Sequence, residues 1–344
     1  MKFKKLVALS SAIIIGSMSL IGCSNKADNT NNSGAKETIK VGMVADTGGI
    51  NDESFNQSAW EGLQEAEKEL GIEIKVIESR QASEYLGNIE TLVDDGMNLI
   101  IGVGYTMADD IKTQAENYPD VNFALIDETY DEIPSNVTPI VFKANEAAYL
   151  TGLIAGRMTE TNKVGFIGGM ESPVISKFDY GFRAGVKAAN PDAEVMVQYA
   201  NSFTDSALGK TIANQMHSKN ADIIFTCAGA VGIGAIEAAK ENGKKAIGVD
   251  QDQNSLAPEN VITSAMKNID VSVEEMLSKV VDGSYKGGEV IINTLAMNGV
   301  GIAPTSNKNV PPDVLEYVAK EAEKVKSGEV KVPATKEEFE QLNK

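Results

Sequence analysis

The residues of this chain best equipped for chemistry stand in short loops that follow apolar runs. The first such loop reads Ala45-Asp46-Thr47-Gly48-Gly49-Ile50-Asn51-Asp52-Glu53-Ser54-Phe55-Asn56-Gln57. A turn and a helix N-cap, with Asp52 or Ser54 as the capping acceptor, explain one or two of these polar side chains. They leave unexplained an aromatic ring, Phe55, among carboxylates and amides. A ring so placed can stack on a flat ligand, a contact worth about 1–3 kcal/mol for a nucleobase. Polar loops recur at 102–106, 127–128, 168–173, 201–205, 228–234 and 250–253. Asp46, Asp127 and Asp250 in these loops accept hydrogen bonds from hydroxyl or N–H groups and repel phosphate, which points to a neutral or cationic ligand.

Other chemistries are poorly supplied. His217 is the single histidine, which removes most metal sites and the nucleophile pairs that need a histidine. Cys227 lies inside the apolar run 223–228 and reads as a small buried hydrophobe rather than a reactive thiol. Residues 229–234 fit the dinucleotide fingerprint only loosely, with spacing G-x-x-G-x-G and no acidic residue closing a nearby strand. Close packing of a helix N-terminus against backbone or ligand explains them better. The chain lacks a G-x-S-x-G elbow. Neither a metal nor an organic cofactor is expected, and an enzyme is not.

The elements that must position these loops alternate. Strands are expected at 39–44, 72–77, 99–103, 122–126 and 137–142, with helices at 57–70, 85–95 and 108–117. In the first helix Ala59, Leu63, Ala66 and Leu70 recur at helical spacing, and Gly71 closes it. The rhythm restarts after Asn145, with helices at 147–158, 178–189, 207–218 and 232–241 and strands at 163–167, 194–199, 222–227 and 245–249. A strand at 261–266, a helix at 271–282, a hairpin at 289–297 and a charged helix at 312–327 complete the expectation. The strands are continuous apolar runs, as in parallel sheets covered on both faces. Two successive β-α series predict two similar α/β lobes. Ligands of such sheets bind beyond the carboxyl ends of the strands, where the polar loops fall.

The N-terminus bears on location. Lys2, Lys4 and Lys5 precede an apolar run, 6–21, that is short and rich in Ser and Gly for a membrane span. It reads as a secretory signal, 1–22. It ends in Leu20-Ile21-Gly22-Cys23, which resembles a bacterial lipobox; an ordinary signal with a chance cysteine is the alternative. Residues 23–37 are rich in Asn, Ser, Gly and Lys and read as a flexible tether behind an acylated Cys23. Acylation of Cys23 leaves Cys227 alone, so no internal disulfide forms. The formal net charge is −18, unsuited to nucleic acid or to an anionic membrane surface. The lipid alone would then hold the protein on the outer side of the cell membrane.

The first loop, Asp46-x-Gly48-Gly49-x-Asn51-Asp52-x-Ser54-Phe55-Asn56-Gln57, resembles the signature of the basic membrane protein family of bacterial lipoproteins, substrate-binding components of ABC importers related to purine nucleoside receptors. Further matches are Gly181-Phe182-x-Ala184-Gly185, Ser202-Phe203-x-Asp205, Ala228-Gly229 through Gly234, Gly248-Val249-Asp250-x-Asp252-Gln253 and Thr263-Ser264-Ala265-Met266-Lys267. Gly229-Ala230 departs from the family's Gly-Gly. The resemblance implies a type I periplasmic-binding-protein fold, with one lobe of 38–144 plus 268–298 and another of 145–267 plus 299–344. It implies a purine nucleoside between Phe55 and Phe203, with Asp46, Asn51 and Asp127 on base edges and Asp250 with Lys267 on the ribose hydroxyls. Its implied partners are an ABC permease and ATPase, with the binding protein itself a monomer. A sensor of the same fold signalling to a membrane regulator, or a binder of a sugar-like ligand, is the alternative.

Overall fold

The computed structural model describes residues 38–342. The signal segment, the acylation candidate Cys23 and the tether lie outside the described residues. Twelve strands form two six-stranded sheets. The first contains β1 (Lys40–Ala45), β2 (Glu73–Glu78), β3 (Leu99–Val103), β4 (Asn122–Ile126), β5 (Val137–Phe142) and β11 (Ile291–Asn293), in the order β11-β5-β4-β3-β1-β2. The second contains β6 (Lys163–Gly168), β7 (Glu194–Tyr199), β8 (Ile223–Cys227), β9 (Lys245–Asp250), β10 (Val261–Lys267) and β12 (Val300–Ile302), in the order β12-β10-β9-β8-β6-β7. The two orders are the same pattern twice, so β4 and β9 hold matching places, as do β3 and β8.

Helices cover both sheets: α1 (Phe55–Leu70), α2 (Tyr85–Asp94), α3 (Ala108–Asn117), α4 (Ala144–Met158), α5 (Pro173–Ala189), α6 (Ser206–Ser218), α7 (Ala230–Glu241) and α8 (Ile269–Asp282). The short α9 (Ser306–Asn309), then α10 (Pro312–Lys326) and α11 (Lys336–Gln341), close the chain. The alternating elements fall where the apolar runs placed them, because parallel strands buried on both faces carry a strong sequence signal. In α1 the buried residues include Ala59, Leu63 and Ala66, and Gly71 caps it in the left-handed conformation at φ 67°. No described helix is long and apolar enough to cross a membrane.

The hairpin expected at 289–297 does not form. β11 runs parallel to β5, whereas β12 runs antiparallel to β10 in the other sheet. A local hairpin would leave the outer edges of β5 and β10 unpaired; sharing the two short strands between the sheets covers both. The chain thus passes between the sheets after β5, after β10 and after β11.

The small residues of α4 and α5 have a packing role. A Cβ at Gly152 would stand 2.2 Å from the Phe182 carbonyl oxygen, one at Gly181 2.4 Å from that of Asn145, and one at Gly185 2.1 Å from that of Tyr149. The two backbones touch, which only glycine permits. Gly234 works likewise: a Cβ there would meet the Ser206 carbonyl oxygen at 1.8 Å, so α7 lies directly on α6.

Gly185→Ala is expected to destabilise the protein by at least about 1–3 kcal/mol through overpacking. Gly87→Ala in α2, where an added Cβ meets nothing within 4 Å, is expected to be neutral or stabilising by up to about 1 kcal/mol. Urea unfolding of the two variants checks the contrast; equal midpoints would remove the backbone-contact account.

Candidate ligand-binding site

A cavity of about 230 Å³ lies at the carboxyl ends of strands from both sheets, where the topology of parallel α/β sheets places ligands. Its first wall is the loop between β1 and α1. Asp46 ends the strand, and its Oδ1 accepts from the Gly48 amide and from Asn56 Nδ2, each at 2.8 Å. Asp52 accepts from the amides of Ser54, Asn56 and Gln57 at 3.0, 2.9 and 3.0 Å. Asp52 is therefore the acceptor that caps α1; Ser54 holds the N-cap position without a side-chain capping bond. Burial pushes the Asp46 carboxyl above the ordinary carboxylate range, against its hydrogen bonds from Gly48 and Asn56, and Asp52 adds to the push.

The two aromatic rings come from opposite lobes. Phe55 opens α1, and Phe203 stands in the loop between β7 and α6; both line the cavity. Phe203 packs close against the backbone after β6, since a Cβ on Gly169 would stand 2.2 Å from its ring. Its carbonyl accepts from the Ala230 amide at 2.8 Å. Gly104 and Gly229, after the matching strands β3 and β8, have φ of 112° and 53°; a Cβ at Gly229 would stand 2.9 Å from the Phe203 carbonyl oxygen. A Cβ at Gly104 would lie 3.4 Å from Asp46 Oδ2 and 3.6 Å from the Phe55 ring.

At the centre, Lys267 ends β10 and is 2 % exposed. Its Nζ bonds the Asp127 carboxylate and stands 3.8 Å from Asp250 Oδ1. The ammonium also lies 4.5 Å from the Phe55 ring centroid and 5.2 and 5.9 Å from those of Phe142 and Phe178, favourable cation–π distances. Burial pulls the lysine pKa down, but Asp127 and Asp250 together outweigh it, and the net shift is upward. Lys267 is an ammonium. Burial pushes Asp250 up to about 6, against Lys267 and a hydrogen bond from Ser54. Asp127 and Asp250, at the ends of the matching strands β4 and β9, both hold positive φ, 74° and 63°. Left-handed backbone at non-glycine residues is uncommon, and strained positions cluster at functional sites.

Of the residues singled out in the sequence, Asp46, Phe55, Asp127, Phe203, Asp250 and Lys267 all line this cavity. Asn51 does not: it is exposed in the loop. The amide lining the cavity is Asn56, turned inward by its bonds to Asp46 and Asp52. Sequence reasoning also missed Val174 and Ile175 as cavity residues by starting the helix at 178, and it did not single out Phe178, which lines the cavity with them. Ser172-Pro173 carried the signal for an earlier start. Ser172 caps α5, accepting from the Ile175 amide at 3.3 Å, with Pro173 in the first turn. Cys227 is buried as expected, and it too lines the cavity.

Residues 39–336 match the Bmp family, ABC transporter substrate-binding proteins that are PnrA-like. The chain belongs to that family. It is 39 % identical over 354 residues to the CD4+ T-cell-stimulating antigen of Listeria monocytogenes, covering 96 % of this chain and 99 % of the relative. It is 36 % identical over 353 residues to the ABC transporter nucleoside-binding protein BmpA of Lactococcus lactis subsp. cremoris, with the same coverages. A solute-binding protein of an ABC transporter system from Aeropyrum pernix superposes with a TM-score of 0.81 at 27 % identity, covering 89 % of this chain and 96 % of that one. The two parallel-sheet lobes of this Bmp-family chain thus form a periplasmic-binding-protein fold, and the chain is an ABC transporter substrate-binding protein.

A pH dependence follows from Asp250. Its folded pKa lies above its unfolded value of 3.8, so between pH 4 and 6 the folded state binds the extra proton. That contribution to stability grows as pH falls from about 6 to about 4 and is flat above 7. Urea unfolding across this window is expected to show the gain in the wild type relative to Asp250→Asn; parallel profiles would contradict it.

Proposed function

We propose that this protein captures purine nucleosides outside the cell membrane, anchored through acylated Cys23, and delivers them to an ABC permease and its ATPase. The observation that carries the reading is the pairing in one cavity of two rings from opposite lobes, Phe55 and Phe203, with the Asp127–Lys267–Asp250 cluster. Rings on either side of a cleft suit the two faces of a base. Carboxylates beside an ammonium offer acceptors and a donor to sugar hydroxyls while balancing part of the charge. The acceptor side chain of Asp46, held in place by Asn56, suits the N–H edge of a purine. A cavity of about 230 Å³ sits below the usual about 300–1,000 Å³ of ligand pockets, in keeping with a single nucleoside rather than an oligomer. The Lactococcus relative, whose name records nucleoside binding, supports the same ligand class.

Calorimetric titration of the chain from residue 24 onward is expected to give sub-micromolar binding of adenosine, guanosine or inosine and little response to free ribose. Binding of a plain sugar with no heat from any purine nucleoside would sink the ligand assignment. Phe55→Ala is expected to weaken purine nucleoside binding about tenfold or more, the scale of a lost base–aromatic stack; an unchanged affinity would remove the stacking role. Cys23→Ala is expected to abolish palmitate labelling and to shed the protein into the medium, read by fractionation of expressing cells.

A further inference from the structure

Ser54 is fully buried, precedes α1 in the first lobe, and makes no capping bond with its side chain. Its hydroxyl instead crosses to the second lobe and donates to Asp250 Oδ2 at 2.6 Å, the length of a hydrogen bond to an ionised acceptor. The residue before it is engaged in the same direction: the Glu53 carbonyl accepts from Gln253 Nε2 at 2.8 Å. Gln253 is itself held by its second lobe, its Oε1 accepting from the Val249 amide at 3.0 Å and its own amide donating to Ser264 Oγ at 3.1 Å. On the first lobe, Asp52 Oδ1 accepts from the Ser54 amide at 3.0 Å. Two adjacent residues of one lobe are thus seated against residues 250–253 of the other, and separation of the lobes would break both bonds.

The groups facing Asp250 are Lys267 of β10, Asp127 at the end of β4, Asp52 ahead of α1 and Cys227 of β8. The lysine lies 3.8 Å from Oδ1, and the two other carboxylates oppose ionisation of Asp250. The Ser54 hydroxyl is the neutral donor placed on the remaining oxygen. We infer that Ser54 is a positioning residue for the ligand's hydroxyl groups: reaching across from the first lobe, it caps Oδ2 of Asp250 and presents Oδ1, beside Lys267, as the acceptor. This rests on the reading of Asp250 as the acceptor of a ligand hydroxyl. Ser54 itself touches no ligand, and its influence runs through the orientation and charge of Asp250.

Carbon-detected NMR of the Asp250 carboxyl, in the free protein and in protein saturated with inosine, tests this. Loss of a hydrogen bond to a carboxylate disfavours the ionised form, so Ser54→Ala is expected to raise the Asp250 midpoint by about one pH unit. Inosine affinity at pH 6 is expected to fall about fivefold relative to wild type, and much less at pH 8, where the carboxyl is ionised in both proteins. Ser54→Thr keeps the hydroxyl and is expected to restore both. A Ser54→Ala midpoint equal to wild type in both states overturns the inference. So does a Ser54→Thr protein that melts like wild type yet titrates like Ser54→Ala. Failure of the wild type to bind any nucleoside would instead remove the functional reading, and the free-protein titration would still decide on Ser54.

Discussion

An ammonium group taken out of water needs compensating charge, and in this protein the compensation comes from both lobes. Lys267 ends β10 in the second sheet, Asp127 follows β4 in the first, and Asp250 ends β9 beside the lysine. Removing either carboxylate would leave an incompletely paired buried charge, a far larger penalty than loss of a surface ion pair. The surrounding rings of Phe55, Phe142 and Phe178 exclude water and strengthen every interaction within. One cluster therefore does two jobs: it joins the lobes electrostatically, and it lines the cavity with two carboxylates and an ammonium.

The rest of the site depends on close backbone approach. Gly169 lets the Phe203 ring lie against the chain, and Gly104 keeps the space between Asp46 and Phe55 clear. Farther out, glycines of α4, α5 and α7 let helices touch backbone to backbone, which limits how far these layers can shift without clash. The polar crowd at 46–57 divides by this logic as well. Asp52 is spent on the start of α1, and Asn56 links Asp46 to Asp52. Asp46 and Phe55 line the cavity beside them. What reads in one dimension as a single polar motif is, in three, a cap, a brace and a cavity wall.

Much of this was legible from residue pattern. Apolar runs with polar residues at their ends marked the strands and the side of the sheets where a ligand would lie. The misses have definite causes. The start of α5 was overlooked because Ser172-Pro173 was read as part of a loop rather than as a cap and first turn. The hairpin at 289–297 failed because pairing between short strands is settled by which sheet edges stand open, and local sequence does not record that. Asn51 and Asn56 are the same residue type in the same loop; their opposite orientations follow from hydrogen bonds that exist only once Asp46 and Asp52 are brought together.

The sequence by itself determined the class of fold, the alternation of its elements and the aromatic and acidic residues available at the strand ends. These are properties of composition and period, which act locally. The tertiary structure alone decided that Asp127, Asp250 and Lys267 share one buried centre, and that Ser54 reaches across to Asp250 rather than capping its own helix. These partners are separated by 140 residues between Asp127 and Lys267 and by 196 between Ser54 and Asp250. Only the apposition of the two sheets brings them within hydrogen-bonding distance.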